Sequence, residues 1–217
     1  MRHKIGLEMC DSKVVFRLLK MRRLYWLQLT EWCVLVVCNP CLTNLFPAQA
    51  ALWPLCSSTC TSSTCASHHK AECKVLREAG LRPVDSPHLY FVLSVMRVLL
   101  IKQEDSSAWA KVEKMMDNWE MFSRDMKLVK GMSKVAEFLR SEAKLAWVEE
   151  EDVRHCFGVL KTNAMEMEGG GGQALYPIAS LMSHSCAANM EMLRTAGPTI
   201  TFRAKRNIRS GEELTIR

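Results

Sequence analysis

Six side chains with metal-ligating chemistry fall in three close pairs, Cys38-x2-Cys41, Cys56-x3-Cys60 and His69-x3-Cys73. Two thiolates set two or three residues apart can grip one ion. Two such pairs complete the tetrahedron favoured by a redox-inert metal such as Zn2+. Six ligands fill one site and leave a second half-filled. The stretch between Cys38 and Cys73 is rich in Ser, Thr and turn formers (Asn39-Pro40, Pro47, Pro54), so it holds little apolar material for a core. Metal coordination would supply the missing folding free energy.

A second chemistry-bearing group lies near the C-terminal end of the sequence. Tyr176-Pro177-Ile178-Ala179-Ser180-Leu181-Met182-Ser183-His184-Ser185-Cys186 is followed by Asn189 and then by Ile208-Arg209-Ser210-Gly211-Glu212-Glu213-Leu214-Thr215. A thiol two residues from an imidazole invites a Cys–His nucleophile. The favoured reading of His184 and Cys186 is instead two buried structural residues.

These groups must be held by a chain of 217 residues, which is long enough for one domain with a small satellite. Hydrophobic content of 48% with 24% charge excludes a disordered or collagen-like chain. Residues 1–23 carry seven Lys/Arg against two acids, so of the net +6 only +1 falls on the rest. A dedicated nucleic-acid domain spreads a basic face over its fold, and this chain does not. Eight of the ten cysteines lie between Cys10 and Cys73. Clustering of that kind reads as a disulfide framework in a secreted chain and as a metal site in an intracellular one. Leu24 to Cys38 imitates the apolar part of a secretion signal, but Gln28 and Glu31 interrupt it and it is too short to span a bilayer. A buried strand or helix at the entry to a domain is favoured there.

Past the Cys-rich stretch the pattern becomes helical. Ser86 suits an N-cap with Pro87 in the first turn, and Leu89, Val92, Leu93, Met96, Leu99 and Leu100 recur at helical steps. A second helix is predicted from Ser106, with Trp109, Val112, Met116, Trp119 and Phe122 on one stripe. A third covers about Ser133 to Trp147, and a fourth follows the acids Glu149 to Asp152, which suit the positive end of a helix dipole. Gly169 to Gly172 reads as a flexible connection. Ala174 to Leu181 is expected to form a short apolar helix or turn, and strands are expected at Thr199–Phe202 and from Leu214.

Trp53-Pro54-Leu55-Cys56-Ser57-x2-Cys60 with His69-Lys70-Ala71-Glu72-Cys73 resembles the second half of a MYND zinc finger, and Cys38-x2-Cys41 fits the first half. Where such fingers carry another ligand pair, this sequence has Ala48-x2-Ala51. The resemblance therefore implies one intact Zn2+ site, Cys38/Cys41/Cys56/Cys60, and one reduced to His69 and Cys73. Cys65 or His68 is able to substitute, though the spacing does not demand it. The two C-terminal strings resemble the NHSCxPN and GEELT motifs of a SET domain. Together they identify the chain as a member of the SET-and-MYND (SMYD) family, in its divergent arthropod branch, over roughly residues 38–217.

That resemblance implies an α+β fold: SET-type small sheets, an inserted MYND-like finger and a helical middle. The expected divisions are a basic and apolar segment 1–37, a finger 38–73 and a SET domain with helical insert 74–217. The implied chemistry is methyl transfer from S-adenosylmethionine to a lysine of a histone or other protein, in the nucleus or cytoplasm, without membrane or specific nucleic-acid partners. Its cofactor contacts map onto Asn163, on an expected strand Lys161–Ala164, and onto Ser183 and His184, with Ser183 in place of the motif Asn and Ala188 in place of the motif Pro. No Gly-rich cofactor strand is recognisable before the finger, the family's tyrosine would fall just beyond Arg217, and the cysteine-rich tail is missing. No catalytic residue is assigned inside the chain, and turnover is expected to be impaired. The competing expectation is a non-catalytic, zinc-dependent interaction module of chromatin or transcription, its finger binding proline-rich peptides.

Overall fold

Helix α2 (Leu89–Glu104) is apolar on all sides and is therefore central. Every residue from Leu93 to Leu99 is buried, including Ser94 and Arg97. The computed structural model describes residues 6–10, 13–17, 28–32, 35–37, 72, 74–81, 89–166, 173–194, 199–209 and 211–217. The six candidate zinc ligands, with Ala48, Ala51, Cys65 and His68, lie outside them, as does the Ser86 cap. The described residues fall into two compact units.

The first unit to be considered is helical. It contains α1 (residues 74–79), α2, α3 (Ser106–Val112), α4 (Trp119–Phe122), α5 (Met126–Ser141) and α6 (Glu150–Asn163). Asp105 caps α3 by accepting from the Ala108 amide at 2.9 Å, and Asp125 caps α5 by accepting from the Lys127 amide at 2.8 Å. The acids opening α6 are where the dipole favours them, and Asp152 accepts two 2.7 Å bonds from Lys102 of α2. Phe157 of α6 meets Phe91 edge to face at 5.2 Å and Trp119 at 6.4 Å. Arg97 grips Glu72 with both Nε and Nη2, the latter at 2.7 Å to Oε2, and both residues are buried.

Two predicted helices differ from those observed. The stripe from Trp109 to Phe122 is broken over residues 113–118, where Asn118 takes a left-handed conformation (φ 50°) and the Asp117 carboxylate accepts from the Trp119 amide. In consequence Met115 is buried and Met116 is exposed. The reason lies on α6: a Cβ at Gly158 would stand 2.4 Å from the Asp117 carbonyl oxygen, so glycine lets the loop backbone lie directly on the helix. The third helix starts at Met126 and ends at Ser141; Leu145 is buried in the loop beyond, its amide donating to the Leu139 carbonyl.

A small antiparallel sheet, β4-β6-β5, completes this unit, from β4 (Leu35–Val37), β5 (Met165–Glu166) and β6 (Gln173–Leu175). Residues 174–181, expected as helix or turn, are divided between β6 and a 3-10 turn at Ala179–Leu181.

The other unit is made of strands. β1 (Gly6–Cys10) and β2 (Lys13–Arg17) form a hairpin, and β3 (Gln28–Trp32), β8 (Met190–Arg194) and β9 (Thr199–Ala204) form an antiparallel sheet in the order β3-β9-β8. β7 (Ser183–His184) runs parallel to β10 (Thr215–Ile216). Met190, Ile200, Phe202 and Leu214 are among its buried apolar side chains. Both units together are mixed α and β. The apolar run after residue 24, open between strand and helix in sequence, supplies β3 and β4.

Candidate functional site

The two C-terminal motifs meet at the β7–β10 pair. Ser183 is in register with Thr215 and His184 with Ile216, and the Ser185 amide donates to the Ile216 carbonyl at 2.8 Å. Strands this short cannot hold one another through backbone bonds alone. The lock is Asn189, only 4% exposed. Its Oδ1 accepts from the Thr215 amide at 2.9 Å, and its Nδ2 donates to the Glu213 carbonyl at 2.8 Å and to Glu212 Oε1 at 3.2 Å. The Asn189 amide donates to Thr215 Oγ1 at 3.2 Å, and its carbonyl accepts from the Lys205 amide at 2.9 Å. One buried amide side chain from the first motif thus satisfies polar groups of the second.

Glu212 in turn fixes the approach to β10. Its carboxylate pairs with Arg206 and accepts from the Arg209 amide at 3.0 Å. The Arg206 bond first, then the Arg209 amide, hold its carboxyl down at about 2, and the same pair raises the Arg206 guanidinium.

Ser183 and His184 are both exposed on β7. Ser183 Oγ donates to Glu213 Oε1 at 2.6 Å, so the hydroxyl proton is engaged and its lone pairs remain as acceptors. Cys186 Sγ lies 3.7 Å from His184 Nε2, and Cys186 is exposed. The expectation that His184 and Cys186 are buried is corrected: the residues buried at the crossing are Asn189, Ala188 and Leu214. The cysteine that burial does claim is Cys156 on α6, whose thiol desolvation pushes far up.

Asn163 belongs to the helical unit. It is the last residue of α6, not part of a strand; the chain turns extended at Ala164 and β5 begins at Met165. Helix persists through Lys161–Asn163 because the loop 112–118 is fastened along the same face. Asn163 Nδ2 donates to the Met116 carbonyl at 2.8 Å and to Val159 at 2.9 Å, and Thr162 Oγ1 donates to the Asp117 carbonyl. His155 Nδ1 lies 3.0 Å from Asp117 Oδ2. Burial alone would raise the Asp117 carboxyl, but the Trp119 amide, His155 and Arg154 bring it below its ordinary value. Among the described residues no group of three or more His, Cys, Asp or Glu is placed to hold a metal.

The SET-domain sequence profile matches residues 43–217, most of the chain. The chain belongs to the SET-domain family. Histone-lysine N-methyltransferase SMYD3 of Mus musculus is 30% identical to it over 201 residues, covering 83% of this chain and 45% of that protein. SMYD3 of Homo sapiens is 30% identical over 202 residues, with the same coverage. The SET domain-containing protein SmydA-8, isoform A, of Drosophila melanogaster is 27% identical over 178 residues, covering 74% of this chain and 37% of that protein. These relatives make it a SMYD-type SET protein that spans less than half the length of each. In this SET chain, the residue that sequence reasoning quoted without giving it a role is Asn189. Its place as the last polar residue of the motif string was the available signal.

Proposed function

We propose that this SET chain binds S-adenosylmethionine beside β7 as a relative of the protein-lysine methyltransferases, in the nucleus or cytoplasm, with methyl transfer to a lysine of a protein substrate impaired in residues 1–217. The observation that carries this is the Ser183–His184 pair, exposed on a strand whose partner β10 is fastened by Asn189. The donor set fits a polar charged small molecule: Ser183 accepts, and the His184 imidazole can donate or accept. S-adenosylmethionine supplies an electrophilic methyl on a sulfonium. The chain's own residues have only to bind, orient and shelter, because in-line transfer depends chiefly on positioning and desolvation. Ser183 reaches less far than Asn in that position. Loss of one good hydrogen bond costs about 1 kcal/mol, up to about 3 where a buried partner is stranded.

Calorimetry of S-adenosylmethionine with the full chain and with Ser183→Asn tests the reading. Asn is expected to tighten binding by about one to two orders of magnitude. No binding by either protein overturns it and favours the non-catalytic interaction module, for which the engagement of Ser183 by Glu213 is the specific support.

We further propose a zinc finger over residues 38–73, with Zn2+ held by Cys38, Cys41, Cys56 and Cys60 and a second position reduced to His69 and Cys73. Thiol spacing supports it. Metal analysis is expected to return about one firmly held zinc per chain; two resistant to mild chelation would remove the argument from Ala48 and Ala51.

A further inference from the structure

Three acidic residues stand between Ser183 and Arg217: Glu191, Glu212 and Glu213. Arg203 pairs with Glu191, and Arg206 with Glu212. Glu213 is half-buried, and its Oε1 accepts the Ser183 hydroxyl at 2.6 Å. A bond that short falls in the charge-assisted range for a hydroxyl donating to a carboxylate. The backbone fixes where that carboxylate stands. Asn189 Nδ2 donates to the Glu213 carbonyl at 2.8 Å, and Leu214 beside it is fully buried.

This contact decides what the exposed edge of β7 can recognise. A hydroxyl whose proton is given to a carboxylate turns only lone pairs outward, and the charge behind it polarises them further. Such an oxygen suits a cationic ligand and disfavours an anionic one. An asparagine at this position would offer N–H donors as well; the Ser183 side chain has none to spare.

We propose, on the reading of Ser183 and His184 as cofactor contacts, that Glu213 is a specificity-determining residue of this site. Together with the Ser183 hydroxyl it holds, Glu213 makes β7 select S-adenosylmethionine, a sulfonium cation, over S-adenosylhomocysteine, the product left by methyl transfer. The two molecules differ by one methyl group and one positive charge, because the sulfur keeps the electron pair of the broken S–CH3 bond. A fixed negative charge at the edge of the site favours the charged member of that pair. Specificity is the difference between the two affinities, and a charge that acts on one ligand more than the other creates it.

Calorimetry of the full chain tests this at low and high salt. The ligands are S-adenosylmethionine, S-adenosylhomocysteine and sinefungin, which carries a protonated amine in place of the methylated sulfonium. Both cations are expected to bind at least about fivefold more tightly than S-adenosylhomocysteine, the size of one charge contact in high dielectric. High salt should shrink that ratio. Glu213→Gln keeps the size of the side chain and removes its charge. It should bring the ratio close to one while S-adenosylhomocysteine binding persists, which a merely structural role would not do. The role of Glu213 is overturned, with the cofactor reading left standing, by any of three results: equal affinity of the parent for charged and neutral ligands, a ratio indifferent to salt, or a Glu213→Gln variant that keeps the preference or loses all ligands alike. A parent chain that binds none of the three ligands overturns both.

Discussion

Around α2 the side chains from Leu93 to Leu99 are all buried, whereas on β7 both Ser183 and His184 face solvent. The helical unit holds its backbone by apolar burial and edge-to-face aromatic contacts, so the buried guanidinium of Arg97 has to be matched by Glu72. The crossing at β7 and β10 cannot use that method, because a strand open to solvent has apolar support on one side only. Its strands are two residues long and are fastened by a single amide side chain instead. Apolar packing gives stability that tolerates small losses, while a polar lock gives position that depends on one residue.

The largest expected break in that comparison is Arg97→Leu. It removes the guanidinium that grips the buried Glu72 carboxylate and should cost about 3–5 kcal/mol, read by urea unfolding. Adding Glu72→Leu should recover much of that loss; a double variant no better than the single would show that the pair is not what the helical unit depends on. Next comes Gly158→Ala. Its methyl meets the Asp117 carbonyl, so the loop 112–118 must lift, at a cost of about 3 kcal/mol, the upper end for overpacking. Unchanged thermal unfolding would show that the loop is not seated on α6.

Asn189→Ala is expected to cost about 2 kcal/mol, since it strands the Thr215 amide and the Glu213 carbonyl. Hydrogen exchange should then quicken in β7 and β10 and stay slow in α2. Equal loss of protection in both places would erase the contrast drawn between the units. The smallest effect belongs to Glu212. Its folded carboxyl, at about 2, lies below the ordinary value of 4.5, so its contribution is complete above pH 4.5 and is lost as pH falls toward 2. Glu212→Gln should therefore lower the melting temperature slightly at neutral pH and flatten the acid limb, the variant and the parent converging as pH falls toward 2.

The elements legible in the sequence were those whose signals are local. Apolar recurrence marked α2, the acids at 149–152 marked the start of α6, and alternation at Thr199–Phe202 marked β9. The motif strings drew attention to Ser183 and His184, although His184 was expected to be buried and is exposed, and a strand expected from Leu214 is found at Thr215–Ile216. The break at residues 113–118 was not legible, because nothing between Glu113 and Asn118 is a strong breaker and its cause is Gly158, forty residues on. Arg97 reads in sequence as an ordinary helix former, and only its neighbours show that it is buried.

What the sequence determined by itself is the chemistry on offer and its order along the chain: thiol pairs, then helices, then Ser183-His184 and the Glu212-Glu213 string. Local backbone preference and hydrophobic period are properties of a few consecutive residues, so they can be read without the fold. Tertiary structure alone decided which polar groups meet. Asn189 closes on Glu213 and Thr215, Asn163 spends its amide hydrogens on Met116 and Val159, and β3 pairs with β9 across most of the chain. Those partners are distant in sequence, and a hydrogen bond depends on where two atoms come to rest rather than on how far apart they lie along the chain.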